Sequence, residues 1–409
     1  MVIFYAFSHL NIIQCINTKI HYYNEEKTCL IVRVSPTISK IIVDIVRNSK
    51  VFDEVFYIDM PNISMKKIPY GKVKGLRTFS KMKVLNRFYE NYLKECFGEE
   101  KCREIIISGG WNDALFVTYY FVQQNPELKI LFVEDGNMVY VKSRVGLYKF
   151  RPDMAGKNRV TRLTRFFAER KYLRSGLKHL GKEIYVSSVS LYEKKAPDKD
   201  AVPLALPCID RENPDLFHVV QELAENNMRE YEKRFYTDVS KIIIFYDKRK
   251  LIFFPDYEIP ESDQLIILDI IRRKVHEKFI IVKVHNSVTA HKKNFALDYN
   301  KKHATLYVDR NDYYFESLYT KIDFSNKIFI SRGSSLMMYT KQNWGQEPFL
   351  IFTYKLYGDY LHYGDVKQID DAVLFCKSIY RDPSKVMVPQ SRFEFENMVE
   401  EAYLRSLGY

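Results

Sequence analysis

Three short motifs in this chain carry residues able to do chemistry. Glu134-Asp135-Gly136 puts two adjacent carboxylates and a glycine directly after an apolar run, Lys129 to Val133. His285-Asn286 follows a second apolar run, Phe279 to Val284, and Arg332-Gly333-Ser334-Ser335 follows a third, Lys327 to Ser331. Paired carboxylates at a strand end are costly to hold unless they meet a substrate, a metal or a cation. A carboxylate whose pKa is raised by burial or by its neighbour suits a general base. An imidazole at a strand's carboxyl end can donate to a phosphate oxygen or protonate a leaving group, and Lys283 adds charge nearby. Serine hydroxyls and N–H groups at a helix start can hold a phosphate or carboxylate, although N-capping by Ser334 accounts for the same residues. Asp-Gly is also a common turn dipeptide.

Weaker candidates have the same placement. Ser8 and His9 end the first apolar run, with Ser8 able to cap the helix that follows. Gly109-Gly110-Trp111-Asn112-Asp113 lies between a strand and a helix, but lacks the lysine and the full glycine spacing of a phosphate loop. Glu261 and Asp263 lie in an acidic stretch at a helix start.

These residues need strands that end at one edge and helices that return the chain. Residues 2–7 read as a buried strand, 28–34 as a second, 51–58 as a third, then 104–108 and 129–133. Helical spacing falls between them, at 10–20, 39–49, 77–96 and 114–123. After 241 the alternation restarts, with strands at 241–246, 279–284, 305–308, 327–331 and 349–352. Terminal helices follow at 370–380 and 392–407. Strands alternating with helices predict parallel, doubly wound sheets. Pro197, Pro203 and Pro207 with a charged patch around 193–200 read as linker composition. The expected organisation is a first domain over 1–200, a linker and connector helix over 201–238, and a second domain over 239–409.

Composition bounds the rest. At 409 residues with 46% hydrophobic and 28% charged residues, the chain is globular and long enough for two cores. The net charge of +12 favours anionic partners without choosing among them. Basic residues crowd 142–178, interleaved with Phe166, Phe167, Tyr172, Leu173 and Leu177. That pattern suits a solvated helix face, an anionic-polymer groove or a contact with acidic lipid headgroups. Cys15, Cys29, Cys96, Cys102, Cys208 and Cys376 are scattered without zinc-ligand spacing, which predicts reduced thiols and a cytoplasmic location, while the basic 142–178 segment allows peripheral contact on the inner face of the membrane. No run approaches the roughly 20 apolar residues of a membrane span.

In motif order and layout the sequence resembles the bacterial sialyltransferases of the lipooligosaccharide and capsular polysialyltransferase types. Glu134-Asp135-Gly136 matches their acidic-acidic-glycine motif, His285-Asn286 their His-Pro motif and Ser334-Ser335 their Ser/Thr-rich motif. Ser8-His9-Leu10-Asn11-Ile12-Ile13 is similar to the first strand–helix turn of the lipooligosaccharide type. The resemblance implies a GT-B glycosyltransferase: an α/β fold with two Rossmann-like domains facing a central cleft. It implies inverting transfer from CMP-sialic acid to an oligosaccharide or glycolipid acceptor, with no metal or other cofactor and no nucleic-acid partner. Glu134 or Asp135 would be the base, or alternatively Glu261 or Asp263, since some members carry the base shortly before the His. His285 would meet the leaving phosphate. Lys283, Asn286, Gly333, Ser334 and Ser335 would hold the donor. Ser8, His9, Gly109, Gly110 and Asn112 would line the cleft. Asn286 stands where the family usually has Pro, which motivates an alternative donor such as a UDP-hexose. A basic nucleic-acid or membrane-surface binding protein is the remaining alternative.

Overall fold

The computed structural model describes residues 1–34, 40–59, 74–108, 112–134, 138–140, 143–148, 171, 173–195, 197–209, 211–225, 242–246, 261–276, 279–284, 307–309, 315–360 and 363–409. The chain divides into two compact units, Met1–Pro207 and Cys208–Tyr409.

The first unit is built on a seven-stranded parallel sheet. Its strands are β1 (Val2–Ala6), β2 (Thr28–Val34), β3 (Glu54–Asp59), β4 (Glu104–Ser108), β5 (Lys129–Val133), β6 (Leu180–Val186) and β7 (Val202–Ala205), in the order β3-β2-β1-β4-β5-β6-β7. Helices α1 (His9–Tyr22), α2 (Lys40–Asn48), α3 (Lys74–Phe97), α4 (Asn112–Gln124) and α5 (Val189–Lys195) accompany it. Every residue of β1 and β4 is buried. That is why β1 is an unbroken apolar run and β4 has Ile105, Ile106 and Ile107 at its centre: a parallel sheet is covered on both faces. The order reverses between β1 and β4, and such a switch point opens the crevice where doubly wound sheets bind ligands.

The second unit repeats the plan with six strands. These are β8 (Ile242–Tyr246), β9 (Ile280–Val284), β10 (Tyr307–Asp309), β11 (Ile328–Ser331), β12 (Phe349–Phe352) and β13 (Val386–Met387), in the order β10-β9-β8-β11-β12-β13. Its helices are α6 (Pro214–Glu225), α7 (Glu261–Lys274), α8 (Ser335–Trp344), α9 (Tyr363–Ile379) and α10 (Arg392–Ser406). Its core joins Ile242, Ile280, Val282, Ile328, Ile330 and Ile351 of the sheet to Ile267 and Ile271 of α7 and Phe395, Val399 and Ala402 of α10. Each such aliphatic side chain contributes roughly 1.5–3 kcal/mol by leaving water. The switch point here lies between β8 and β11.

Two strands correct the sequence-based organisation. β6 lies just past the basic 142–178 stretch, where no strand was expected. Its first half, Leu180 to Glu183, carries a glycine and two charges and is not buried, whereas Ile184, Tyr185 and Val186 are. β7 falls inside the expected linker: Pro203 pairs with Ile184 at the sheet's edge, where a residue without an N–H is tolerated. The linker expected from 201 therefore begins with a strand of the first sheet. Asn17 Nδ2 donates to Pro207 O at 3.0 Å and Tyr22 O–H to Ala205 O at 2.6 Å, fixing that segment to α1. Helix α6 occupies part of the expected connector, and residues 226–241 lie outside the described residues.

Candidate functional site

The carboxyl edge of the first sheet gathers polar side chains from four neighbouring strand ends. After β1, Ser8 adopts an extended conformation (φ −141°, ψ 163°) and caps α1, its Oγ accepting from Asn11 N at 3.1 Å. Asn11 is fully buried, and its Nδ2 donates to Ser108 Oγ, at the end of β4, at 2.6 Å. Ser108 Oγ donates in turn to the carbonyl of Glu134, just past β5, at 3.2 Å. This chain of bonds spans the switch point. His9 opens α1, and burial pushes its imidazole down to about 4.

Glu134 is wholly buried. Its Oε2 accepts from Tyr140 O–H at 2.7 Å and from the backbone N–H of Ser187 at 2.6 Å, and Tyr140 Oη accepts from Ser188 N at 3.1 Å. Its own N–H donates to Tyr185 O at 2.9 Å. A buried carboxylate is tolerated because such charge-assisted bonds replace its hydration. These partners belong to Glu134's own unit: Tyr140 lies six residues on, in the turn Met138–Tyr140, and Tyr185, Ser187 and Ser188 come from the β6 end that sequence reasoning missed. Asp135 and Gly136 lie outside the described residues.

One further residue on this edge, Arg33, escaped the sequence reading. Arg33, near the end of β2, pairs through Nη1 with Asp113 Oδ2 at 2.7 Å, with Arg33 27% and Asp113 9% exposed. Asp113 sits in the first turn of α4, where a carboxylate also complements the helix dipole. Burial raises the Tyr5 phenol well above its usual range, and the Asp113 charge adds to the shift. The available signal was Arg33 itself, a lone charge in the apolar run Thr28 to Val34. Asn112 is the first residue of α4, while Gly109 and Gly110 lie outside the described residues.

Aspartates two apart also occur, at Asp198-Lys199-Asp200. Asp198 is engaged by Arg144, whose Nε donates at 2.9 Å and whose backbone N–H donates at 3.0 Å to Oδ2. That pairing holds the Asp198 carboxyl below its usual range. The triplet's first carboxylate thus braces the loop carrying Arg144 against the segment before β7.

In the second unit, Ser334 is the N-cap of α8 (φ −64°, ψ 136°), its Oγ accepting from Leu336 N at 3.3 Å. Ser331 Oγ accepts from the N–H groups of Gly333 and Ser334 at 3.3 and 3.1 Å. Three N–H groups of this turn are therefore met by its own serines. Ser331, buried at the end of β11, was not singled out by sequence. Gly333 is required by packing: a Cβ there would lie 2.8 Å from Ile369 Cδ1 and 2.9 Å from Cγ1. Ser335 begins α8. Lys283 is 5% exposed on β9, registered against Phe245 of β8 and Asp309 of β10. Glu261 and Asp263 fall in the first turn of α7, where acidic residues favour the helix. His285 and Asn286 lie outside the described residues.

No protein-family model matches the sequence, and no curated protein matches it. Solved structures do share its fold. A UDP-GlcNAc 2-epimerase from Methanocaldococcus jannaschii, in complex with UDP-GlcNAc and UDP, superposes with a TM-score of 0.50 at 9% identity, over 100% of this chain and 93% of that one. The Neisseria meningitidis UDP-GlcNAc 2-epimerase bound to UDP-GlcNAc gives 0.49 at 12% identity, over 100% and 92%. Phytolacca americana UGT2, complexed with UDP-2fluoro-glucose and pterostilbene, gives 0.45 at 9% identity, over 100% and 93%. Among the described residues no helix is long and apolar enough to cross a membrane. The first likeness and the two switch-point sheets establish the fold class: an α/β chain of two Rossmann-like domains of the GT-B kind.

Proposed function

We propose that this chain is an inverting glycosyltransferase that moves a sugar from a nucleotide-sugar donor to a glycan acceptor, with CMP-sialic acid the donor its motifs favour. The observation that carries the proposal is Glu134. Glu134 is buried at the carboxyl end of β5, its carboxylate bonded to Tyr140 and to the Ser187 N–H past β6 and its backbone carbonyl tied through Ser108 of β4 to Asn11 of α1, next to a switch point. Its Oε2 is already engaged, so Glu134 holds the strand end in position and Asp135 acts as the base. Asp135 takes the proton of the acceptor hydroxyl as that oxygen bonds to the anomeric carbon. The bond from the anomeric carbon to the phosphate oxygen breaks, and the nucleotide leaves with both electrons. His285 and Lys283 meet the charge that develops on the leaving phosphate, a stabilisation realised mainly in the transition state. Ser334 and Ser335, at the start of α8, hold the donor. In this scheme no metal is needed, and the acceptor is an oligosaccharide or glycolipid. Lys171, Arg174 and Lys178, exposed within the basic 142–178 stretch, contact its anionic carrier or acidic headgroups.

A second reading keeps the chemistry and changes the donor to a UDP-sugar. It is favoured by Asn286 in place of the motif's usual proline and by the superposable epimerase that carries UDP-GlcNAc and UDP. Thermal shift separates the two, because a ligand bound at a hundred times its Kd stabilises by about 2.7 kcal/mol. Stabilisation by CMP and not UDP supports the sialyl donor; the reverse supports the UDP-sugar. Failure of both nucleotides to bind overturns nucleotide-sugar transfer.

A further inference from the structure

A cavity of about 460 Å³ lies between α3 and α4 in the first unit, within the size range of small-ligand sites. It is remote from Glu134. Its walls include Gly98 and Lys101, which precede β4, and Gln123 and Gln124, which precede β5. It therefore opens toward the amino ends of the strands, roughly 15 Å from their carboxyl edge by strand length.

The lining is specific in kind. Phe116, Tyr119 and Tyr120 contribute rings, and Gln123 contributes an amide. Glu90 and Lys94 stand one turn apart on α3 and share a face. The cavity's charged lining is balanced, with two glutamates and two lysines. Lys171 Nζ stands 5.4 Å from the centroid of the Tyr119 ring. α3 ends at Phe97, followed by Gly98 in the left-handed region (φ 54°), and α4 ends at Gln124, so both helices bring their carboxyl ends to the cavity. Helix carboxyl ends carry partial negative charge and disfavour anions. Aromatic side chains among amides, carboxylates and ammonium groups match a ligand with apolar C–H surface and many hydroxyls.

We propose that this cavity binds uncharged sugar units. On the transferase reading, on which this assignment to the acceptor rests, it holds a stretch of glycan remote from the reacting hydroxyl. The test is saturation-transfer NMR on the full chain with lactose, N-acetyllactosamine and maltohexaose, using CMP and sialyllactose as charged comparators. Tyr119→Ala and Lys94→Ala remove lining groups, and circular dichroism checks that each variant is folded. The expected result is saturation of at least one neutral sugar by the wild type, at least tenfold weaker binding in a folded variant, and no displacement by CMP. The proposal is overturned if no neutral sugar is saturated, if both folded variants bind as the wild type does, or if CMP competes. Binding without turnover on any donor would instead sink the transferase assignment and leave the sugar site standing.

Discussion

Glu134 Oε2 stands 2.6 Å from the backbone nitrogen of Ser187, 53 positions along the chain. With Tyr140, this contact joins the ends of β5 and β6 through a carboxylate that no water reaches. Glu134→Ala leaves the Ser187 N–H and the Tyr140 hydroxyl without this acceptor and should cost about 2–4 kcal/mol. Glu134→Gln keeps an acceptor oxygen and should cost less, about 1 kcal/mol. Urea unfolding midpoints check both. Equal losses would mean that the carboxylate does not hold the two strand ends together.

The Arg33–Asp113 pair should behave as a partly buried ion pair, with a coupling of about 1–2 kcal/mol, above the range of exposed pairs. A double-mutant cycle with Arg33→Met and Asp113→Asn measures it. A coupling near zero would make the 2.7 Å contact energetically idle.

His9 carries a pH signature. Burial lowers its pKa from 6.5 to about 4, so between those values the unfolded chain binds more protons than the folded one. The folded state is therefore fully favoured above pH 6.5 and loses stability as pH falls toward 4, by about 3 kcal/mol over the window. His9→Gln removes this titration. The difference in unfolding free energy between wild type and His9→Gln should shrink or change sign from pH 7 to pH 4.5. A difference independent of pH would refute the depressed pKa.

Much of the fold was legible, and the failures share one cause. Fully buried parallel strands such as Val2–Ala6 and Glu104–Ser108, with its central Ile105-Ile106-Ile107, have apolar cores, so they stand out. β6 and β7 lie toward the sheet's edge. One carries Gly181, Lys182 and Glu183 and the other contains Pro203, and both patterns imitate loop. Missing β6 meant missing Ser187, whose N–H meets the Glu134 carboxylate, and Ser188, whose N–H meets Tyr140. Strand-end position alone singled out Glu134, Ser334 and Lys283. What those side chains touch was not legible, because Ser108, Tyr140 and Ser331 act through contacts distant in sequence or through backbone geometry that no spacing rule encodes. Ser334 was read both as a cap and as a ligand group, and its bond to Leu336 N makes the cap concrete.

Gly333→Ala tests whether the turn before α8 is held by packing. The added Cβ would press on Ile369 at 2.8–2.9 Å, a clash expected to cost about 1–3 kcal/mol. Ile369→Val in the same chain removes the Cδ1 methyl and should recover part of that loss. Thermal unfolding of the single and double variants reads both effects. An undestabilised Gly333→Ala would show that the turn has room to spare.

On the proposed mechanism, a carboxylate just past β5 drives nucleotide-sugar transfer. The most direct measurement is the release of free nucleotide together with glycan product from CMP-sialic acid, and in parallel from a UDP-hexose panel, with galactose-terminated and sialylated acceptors. Wild type should turn over one donor class. Asp135→Asn should lower kcat by at least a hundredfold while the variant stays folded and still binds the nucleotide. No nucleotide release from either donor class with any acceptor, or undiminished turnover by Asp135→Asn, would contradict the account.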